Sequence, residues 1–175
     1  NPQWGRWGQE DSSTTEEDTA SAKGLKAGGD IKISNATITA DTSDDSIHSN
    51  SNVTIESGTF NLKSGDDGIH ADTSTVINNG NIVIEKSYEG IEGSNVTISG
   101  GTIELTASDD GINSAGGSDS SSMGGRMGQN SFTENSDIYI KITGGKVTVD
   151  ASGDGLDSNS NLIIEGGEIY VNGPT

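Results

Sequence analysis

Carboxylates return along this chain in one short motif, Asp66-Asp67-Gly68-Ile69-His70, and its variants. Asp44-Asp45-Ser46-Ile47-His48, Tyr88-Glu89-Gly90-Ile91-Glu92, Asp109-Asp110-Gly111-Ile112-Asn113 and Gly153-Asp154-Gly155-Leu156-Asp157 share its register, as does Lys23-Gly24-Leu25-Lys26 near the start. The chain has no Cys, so any metal must be held by oxygen or by its 2 His. Grouped oxygens suit calcium, which bonds them at about 2.3–2.6 Å, so that two carboxylates one repeat apart can share an ion. The expected ligands are Asp45, Asp67, Glu89, Asp110 and Asp154 at the second motif position, Asp44, Asp66 and Asp109 one residue earlier, and Glu92, Asn113 and Asp157 three residues later. The intervening glycine is expected to let the backbone turn sharply beside the ion. A solvated acidic turn is the competing reading, but it gives no reason for the acids to stay in register.

Other chemistry has less support. His48 and His70 are one repeat apart in the same register, which allows a transition-metal site, but two ligands are few and an exposed surface pair is the expectation. Calcium-assisted elimination on a uronic acid polymer needs a base near the ion. Lys63 and Lys86 are the nearest candidates, and the regular repeats hold no Arg, so an enzyme is not expected and a calcium-dependent pectate-type lyase is the alternative. No Ser-His-Asp motif surrounds either His.

The elements that must position these acids follow from the spacing. The second motif residue falls at 23, 45, 67, 89, 110 and 154, and a small residue recurs at Ala36, Gly58, Gly80, Gly101, Gly145 and Gly167. Apolar residues align on that landmark: Ile33, Ile55, Ile77, Ile98, Ile142 and Ile164 before it, and Ile38, Phe60, Ile82, Ile103, Val147 and Ile169 after it. A further row, Leu25, Ile47, Ile69, Ile91, Ile112 and Leu156, lies inside the motif. Each repeat thus holds two segments of period 2 and one very short third segment, separated by Gly, Asn, Ser and Asp turns. Three short strands per turn of 21–22 residues predict an all-β parallel β-helix, a β-solenoid of about six coils and roughly 29 Å at ~4.8 Å per coil. Asn52, Asn95 and Asn161, each just before a strand, are expected to stack as a structural amide ladder.

The 33 Leu, Ile, Val and Phe among 175 residues, with a net charge of -18, would alone suggest disorder. The repeat overrides that, because few apolar residues in strict register still build a continuous narrow core. The acidic balance of 27 Asp and Glu against 9 Lys and Arg excludes nucleic acid and anionic membrane as expected partners. No apolar run approaches the length of a membrane span, and the sequence opens on Asn1, so a secreted, extracellular or cell-surface protein with any signal peptide removed is expected.

Residues 1–20 carry no period and hold Trp4 and Trp7, whose indoles suit docking on a neighbouring subunit or a ligand. The β-helix domain is expected over 21–175, with a Gly-, Ser- and Met-rich loop inserted at about 116–135. Its Gly125-Arg126-Met127-Gly128-Gln129 echoes Gly5-Arg6-Trp7-Gly8-Gln9, making Arg126 and Met127 candidate assembly or ligand contacts. Neither end shows a capping helix, so end-to-end stacking into a homo-oligomer or fibre is expected.

The recurring "DDGIH", "YEGIEGSNVTISGGTIELTASDDGIN" and "GDGLDSNSNLIIEGG" resemble bacterial extracellular carbohydrate-binding domains with a polysaccharide-lyase-like right-handed parallel β-helix, over about residues 21–173. The resemblance implies a secreted or surface protein with several calcium ions in its acidic turns. It also implies binding of cellulose or acidic pectin-type polysaccharide with little or no lyase activity. Asp67, Glu89, Asp110 and Asp154 match the family's ligand positions. The first repeat departs from the pattern, with Lys23 and Lys26 where acids are expected, so calcium is not carried over to it.

Overall fold

Ile, Val and Leu at every second residue of a short run give that run one apolar edge, which is buried by stacking the same run from the next coil. The computed structural model describes residues 22–115 and 137–173, and its strands follow that rule. In chain order they are β1 (Leu25–Ala27), β2 (Ile31–Ile33), β3 (Ala36–Asp41), β4 (Ile47–Ser49), β5 (Asn52–Ile55), β6 (Gly58–Lys63), β7 (Ile69–Ile77) and β8 (Asn81–Lys86). There follow β9 (Ile91–Ile98), β10 (Thr102–Ala107), β11 (Ile112–Ser114), β12 (Tyr139–Ile142), β13 (Lys146–Ala151), β14 (Leu156–Ser158), β15 (Asn161–Ile164) and β16 (Glu168–Asn172).

Pairing is parallel throughout and forms three ladders, so the protein is the expected all-β solenoid of about six coils. The first ladder runs β1, β4, β7, β9, β11, β14 and stacks Leu25, Ile47, Ile69, Ile91, Ile112 and Leu156. The second joins β2, β5, the later parts of β7 and β9, β12 and β15. The third is a six-stranded sheet of β3, β6, β8, β10, β13 and β16. In two coils β7 and β9 run through the corner between the first and second ladders, giving two long strands where three were expected. Ala71 pairs with Gly93 but Ser74 with Asn95, and that slip is where the spacing drops from 22 to 21 residues.

The inward rows are fully buried from Ile47 to Ile112 in the first ladder and from Phe60 to Val147 in the third. Each such side chain stabilises the fold by about 1.5–3 kcal/mol. Thr75 stands among Val53, Val96 and Ile140 with no exposed surface, and its hydroxyl meets the need for a partner by donating to the Glu92 carbonyl at 2.8 Å.

The motif glycines lie at bends, as expected, but without positive φ, which among the glycines belongs to the landmark row, Gly58, Gly80, Gly101, Gly145 and Gly167. Gly68 is required for space as well, since a Cβ there would stand 2.6 Å from the Gly90 carbonyl oxygen. One local expectation is corrected: the amide ladder does not form. Asn52, Asn95 and Asn161 are separated in register by Ser74 and Tyr139, and each donates elsewhere, Asn52 to Asp30 at 2.8 Å and Asn95 to the Asp137 carbonyl at 3.4 Å across coils, and Asn161 to the adjacent Ser160 at 3.3 Å. Trp4 and Trp7, and Arg126 and Met127 of the insertion, lie outside the described residues. No helix among those residues is long and apolar enough to cross a membrane.

Candidate functional site

The acidic motifs meet at the corner that leads into the first ladder. There the amides of Gly24, Ser46, Gly68, Gly90 and Gly111 each donate to the carbonyl of the acid on the next coil, Asp45, Asp67, Glu89, Asp110 and Asp154. The amide of the acid itself points the other way. Asp67 N–H donates to Asp45 Oδ1 at 3.0 Å, Glu89 N–H to Asp67 Oδ1 at 3.2 Å, and Asp154 N–H to Asp110 Oδ1 at 2.7 Å. Each of these carboxylates therefore replaces a backbone carbonyl for a donor that the turn would otherwise leave unpaired. The acids are thus part of the scaffold before any ion is considered, a role that their spacing did not reveal.

Stacking acids one coil apart requires positive charge, and the source of that charge changes along the rod. At the first coil Lys23 Nζ lies 2.9 Å from Asp44 and 2.6 Å from Asp45, between carboxylates as a calcium ion would be. Burial opposes its charge, but the hydrogen bonds to Asp45 and Asp44 outweigh burial and hold its pKa above the ordinary value. At the second and third coils the partners of the acids are histidines. His48 Nδ1 is 2.6 Å from Asp45 Oδ2, and His70 Nδ1 is 3.0 Å from Asp67 and 2.5 Å from Glu92. Burial again lowers the proton affinity of His70, yet its bonds to Asp67 and Glu92 win and push it up to about 11, while burial and the charges of Glu92 and Asp45 push Asp67 up to about 8 against its bond to His70, so the three groups share their protons. The expected surface pair is corrected: His48 and His70 are buried and stacked, with ring centroids 4.7 Å apart.

On the fourth coil His70 reaches Glu92, whereas no ion pair among the described residues reaches Glu89, Asp110, Asp154 or Asp157. The Glu89 side chain, one methylene longer than Asp, reaches one coil ahead to Asn113, whose Nδ2 donates to both carboxylate oxygens at 3.0 Å. Burial, together with the charges of Glu92 and Asp67, pushes Glu89 up to about 9. Burial also raises Asp110 and Asp157. Asn113 itself is 8 % exposed, and its Oδ1 is a buried oxygen with no hydrogen-bond partner. Flipping the amide would set that oxygen against the Glu89 carboxylate, so the orphan is an acceptor in need of a positive partner. A hard cation taking Glu89, Asp110 and Asn113 Oδ1 would satisfy it and relieve the carboxylate.

The expected ligands therefore separate into sets. Asp44, Asp45 and Asp66 offer ligand atoms within 4.8 Å of one another, as do Asp67, His70 and Glu92, and Asp45, His48 and His70, the histidines through ring nitrogens. Each set already contains or touches Lys23 or a histidine. Asp109 lies one residue before Asp110, and Asp154 and Asp157 stand on the last described coil, Asp154 exposed and Asp157 half-buried. The proposed bases are not poised for proton abstraction. Lys63 Nζ pairs with Glu85 at 3.0 Å, which raises its pKa and keeps it protonated, and both lysines lie in the third ladder.

One residue beside the acids escaped the motif reading. Tyr88 occupies, on the fourth coil, the position of Asp66 and Asp109: its N–H donates to the Asp66 carbonyl at 2.7 Å and its carbonyl accepts from Asp109 N–H at 2.9 Å. It is 46 % exposed, and its hydroxyl bonds the Asp109 side chain, which pushes its pKa up to about 12. The departure of "YEGIE" from "DDGI" was the available signal.

A family model described as carbohydrate-binding domain-containing protein matches residues 6–68 and 50–135, together more than half of the chain. No curated protein and no solved structure matches.

Proposed function

The chain belongs to the family of carbohydrate-binding domain-containing proteins, and on that premise we propose that it is a non-catalytic, extracellular β-solenoid that binds calcium in its acidic turns and an acidic polysaccharide beside them. The observation that carries the calcium reading is the buried, unpartnered Asn113 Oδ1 next to a carboxylate that burial holds at about 9. Glu89, Asp110 and Asn113 would hold the ion, with Asp109 at the rim, and bound calcium would supply a fixed positive charge able to meet a uronate carboxylate. Lys23 and His70 stand in for calcium on the earlier coils.

Tyr88 supports the sugar reading. Its exposed ring lies between two acidic rungs, where a pyranose can stack on it while a carboxylate reaches the ion. A pectin-type chain fits this combination better than cellulose, which carries no acid. The unpaired outer strand edges of the first and last described coils support end-to-end assembly on a cell surface or in a matrix, where calcium is plentiful, with Trp4, Trp7, Arg126 and Met127 as its candidate contacts. The lyase alternative finds little help, since Glu85 keeps Lys63 protonated and both lysines lie in the third ladder.

Calorimetry with calcium and then polygalacturonate tests the reading. Calcium binding that Asn113→Ala weakens, followed by calcium-dependent polysaccharide binding without ultraviolet-absorbing products, is the expected result. Equal calcium binding by wild type and by a Glu89→Gln, Asn113→Ala double variant would remove the site, and accumulation of unsaturated products would favour the lyase.

A further inference from the structure

We infer that copies of this chain stack head to tail, the last described coil of one copy seating in register on the first coil of the next. The inference rests on the end-to-end reading above and adds its polarity and its contacts.

Both outer coils expose what an additional coil would cover. On the last, Leu162, Ile164 and Val171 are 48 %, 52 % and 47 % exposed, although residues at the same register one coil earlier, Ile140, Ile142 and Val149, are fully buried. On the first, Leu25 is 36 % exposed, and no described strand pairs with the outer edges of β1, β2 and β3. Continuing the repeat across a junction sets Leu156 on Leu25, Leu162 on Ile31, Ile164 on Ile33, Ile169 on Ile38 and Val171 on Ala40. Parallel pairing of β14–β16 with β1–β3 follows from the same register.

Charge selects this arrangement over its alternatives. The acidic corner ends in Asp154 and Asp157, and the first coil carries Lys23 and Lys26 at those two registers. A head-to-tail junction therefore opposes two carboxylates with two ammonium groups, whereas joining like ends opposes lysine with lysine or aspartate with aspartate. Within the chain Lys23 already bridges Asp44 and Asp45 of the coil above it, which is the contact that the junction repeats from below. The lysines that break the acidic pattern are thereby explained as the receiving half of an interface. Because the contact is heterologous and adds a coil without closing, it yields an open filament.

The test uses the exposed Lys26 and its junction partner Asp157. Sedimentation and electron microscopy of the full chain, with calcium held constant, should show rods for wild type. Lys26→Glu and Asp157→Lys should each weaken assembly about tenfold or more, with unchanged circular dichroism. An equimolar mixture of the two variants should assemble again, since one junction is then wild type and the other is the reversed pair. Wild type that stays monomeric at every concentration overturns stacking itself. Rods that neither reversal affects, or that the mixture fails to restore, leave stacking in place and overturn the head-to-tail polarity.

Discussion

The two halves of the acidic corner solve one electrostatic problem in two ways. In the first three coils the chain provides its own cations, Lys23 against Asp44 and Asp45, and His70 between Asp67 and Glu92. In the fourth and fifth coils, beyond the Glu92 that His70 bonds, the same backbone carries Glu89 and Asp110 with no ion-pair partner among the described residues, and Asn113 with one orphaned oxygen. Register is conserved between the halves, Ile69 pairing with Ile91 and His70 with Glu92. The scaffold is therefore indifferent to how its charge is neutralised, and the residue three places after each acid decides whether an external ion is required.

Exchanging those residues should have the largest effect. His70→Asn gives the third coil the amide of the fifth and strands Asp67 and Glu92 without a cation. Removing one partner of a buried ion pair costs about 3–5 kcal/mol, so urea unfolding in chelator should show a loss of that order. Added calcium should recover much of it and raise the bound calcium by one equivalent. The converse Asn113→His should lower calcium stoichiometry. If His70→Asn neither destabilises the protein nor responds to calcium, the two halves do not differ in the way argued.

Chelation of the wild-type protein comes next. An ion that binds only the folded state at 100 times its Kd contributes about 2.7 kcal/mol. The loss should be local: hydrogen exchange should accelerate at the amides of Gly90, Gly111 and Asp154 and change little at Asp67 and Ile47. Uniform acceleration along the rod would erase the distinction between the halves.

A smaller effect depends on pH. The Glu89 carboxyl moves from an ordinary 4.5 to about 9 on folding, so in chelator the folded protein holds a proton that the unfolded chain releases. That contribution is complete below 4.5 and is lost as pH rises towards 9. Calcium displaces the proton, so the stabilisation by calcium should grow with pH across this window in urea titrations. His70, also raised, loses its contribution from 6.5 towards 11, and that loss should be insensitive to calcium.

These contrasts show what could be read from residues alone. The 22-residue spacing and the rows of Ile, Val and Leu are sufficient for the fold, because a parallel coil can stack only with equivalent residues aligned. The acids could be identified by the same means, and so could their neighbours Glu92 and Asn113. Their hydrogen bonds could not. That Asp45 accepts from Asp67 N–H depends on which way a turn amide points, and motif spacing carries no such information. Histidine burial was missed for a related reason: His48 and His70 follow buried isoleucines and alternation would put them outside, but the corner folds the preceding turn and its acids over them.

The smallest expected effect concerns Tyr88, where the uncompensated half also departs from the acidic pattern. Its ring is half exposed, it stands between Asp66 and Asp109 in the stack, and its backbone keeps both hydrogen bonds whatever the side chain. Tyr88→Ala should therefore leave unfolding and calcium affinity nearly unchanged. An aromatic contact contributes about 0.5–1.5 kcal/mol beyond its buried area, so polygalacturonate affinity should fall several-fold. Tyr88→Phe should retain most of that affinity, because the Asp109 bond positions the hydroxyl and the ring face does the stacking. Loss in the phenylalanine variant equal to loss in the alanine variant would mean that the hydroxyl, and with it Asp109, contacts the sugar, moving the binding surface from the ring onto the acidic rung itself.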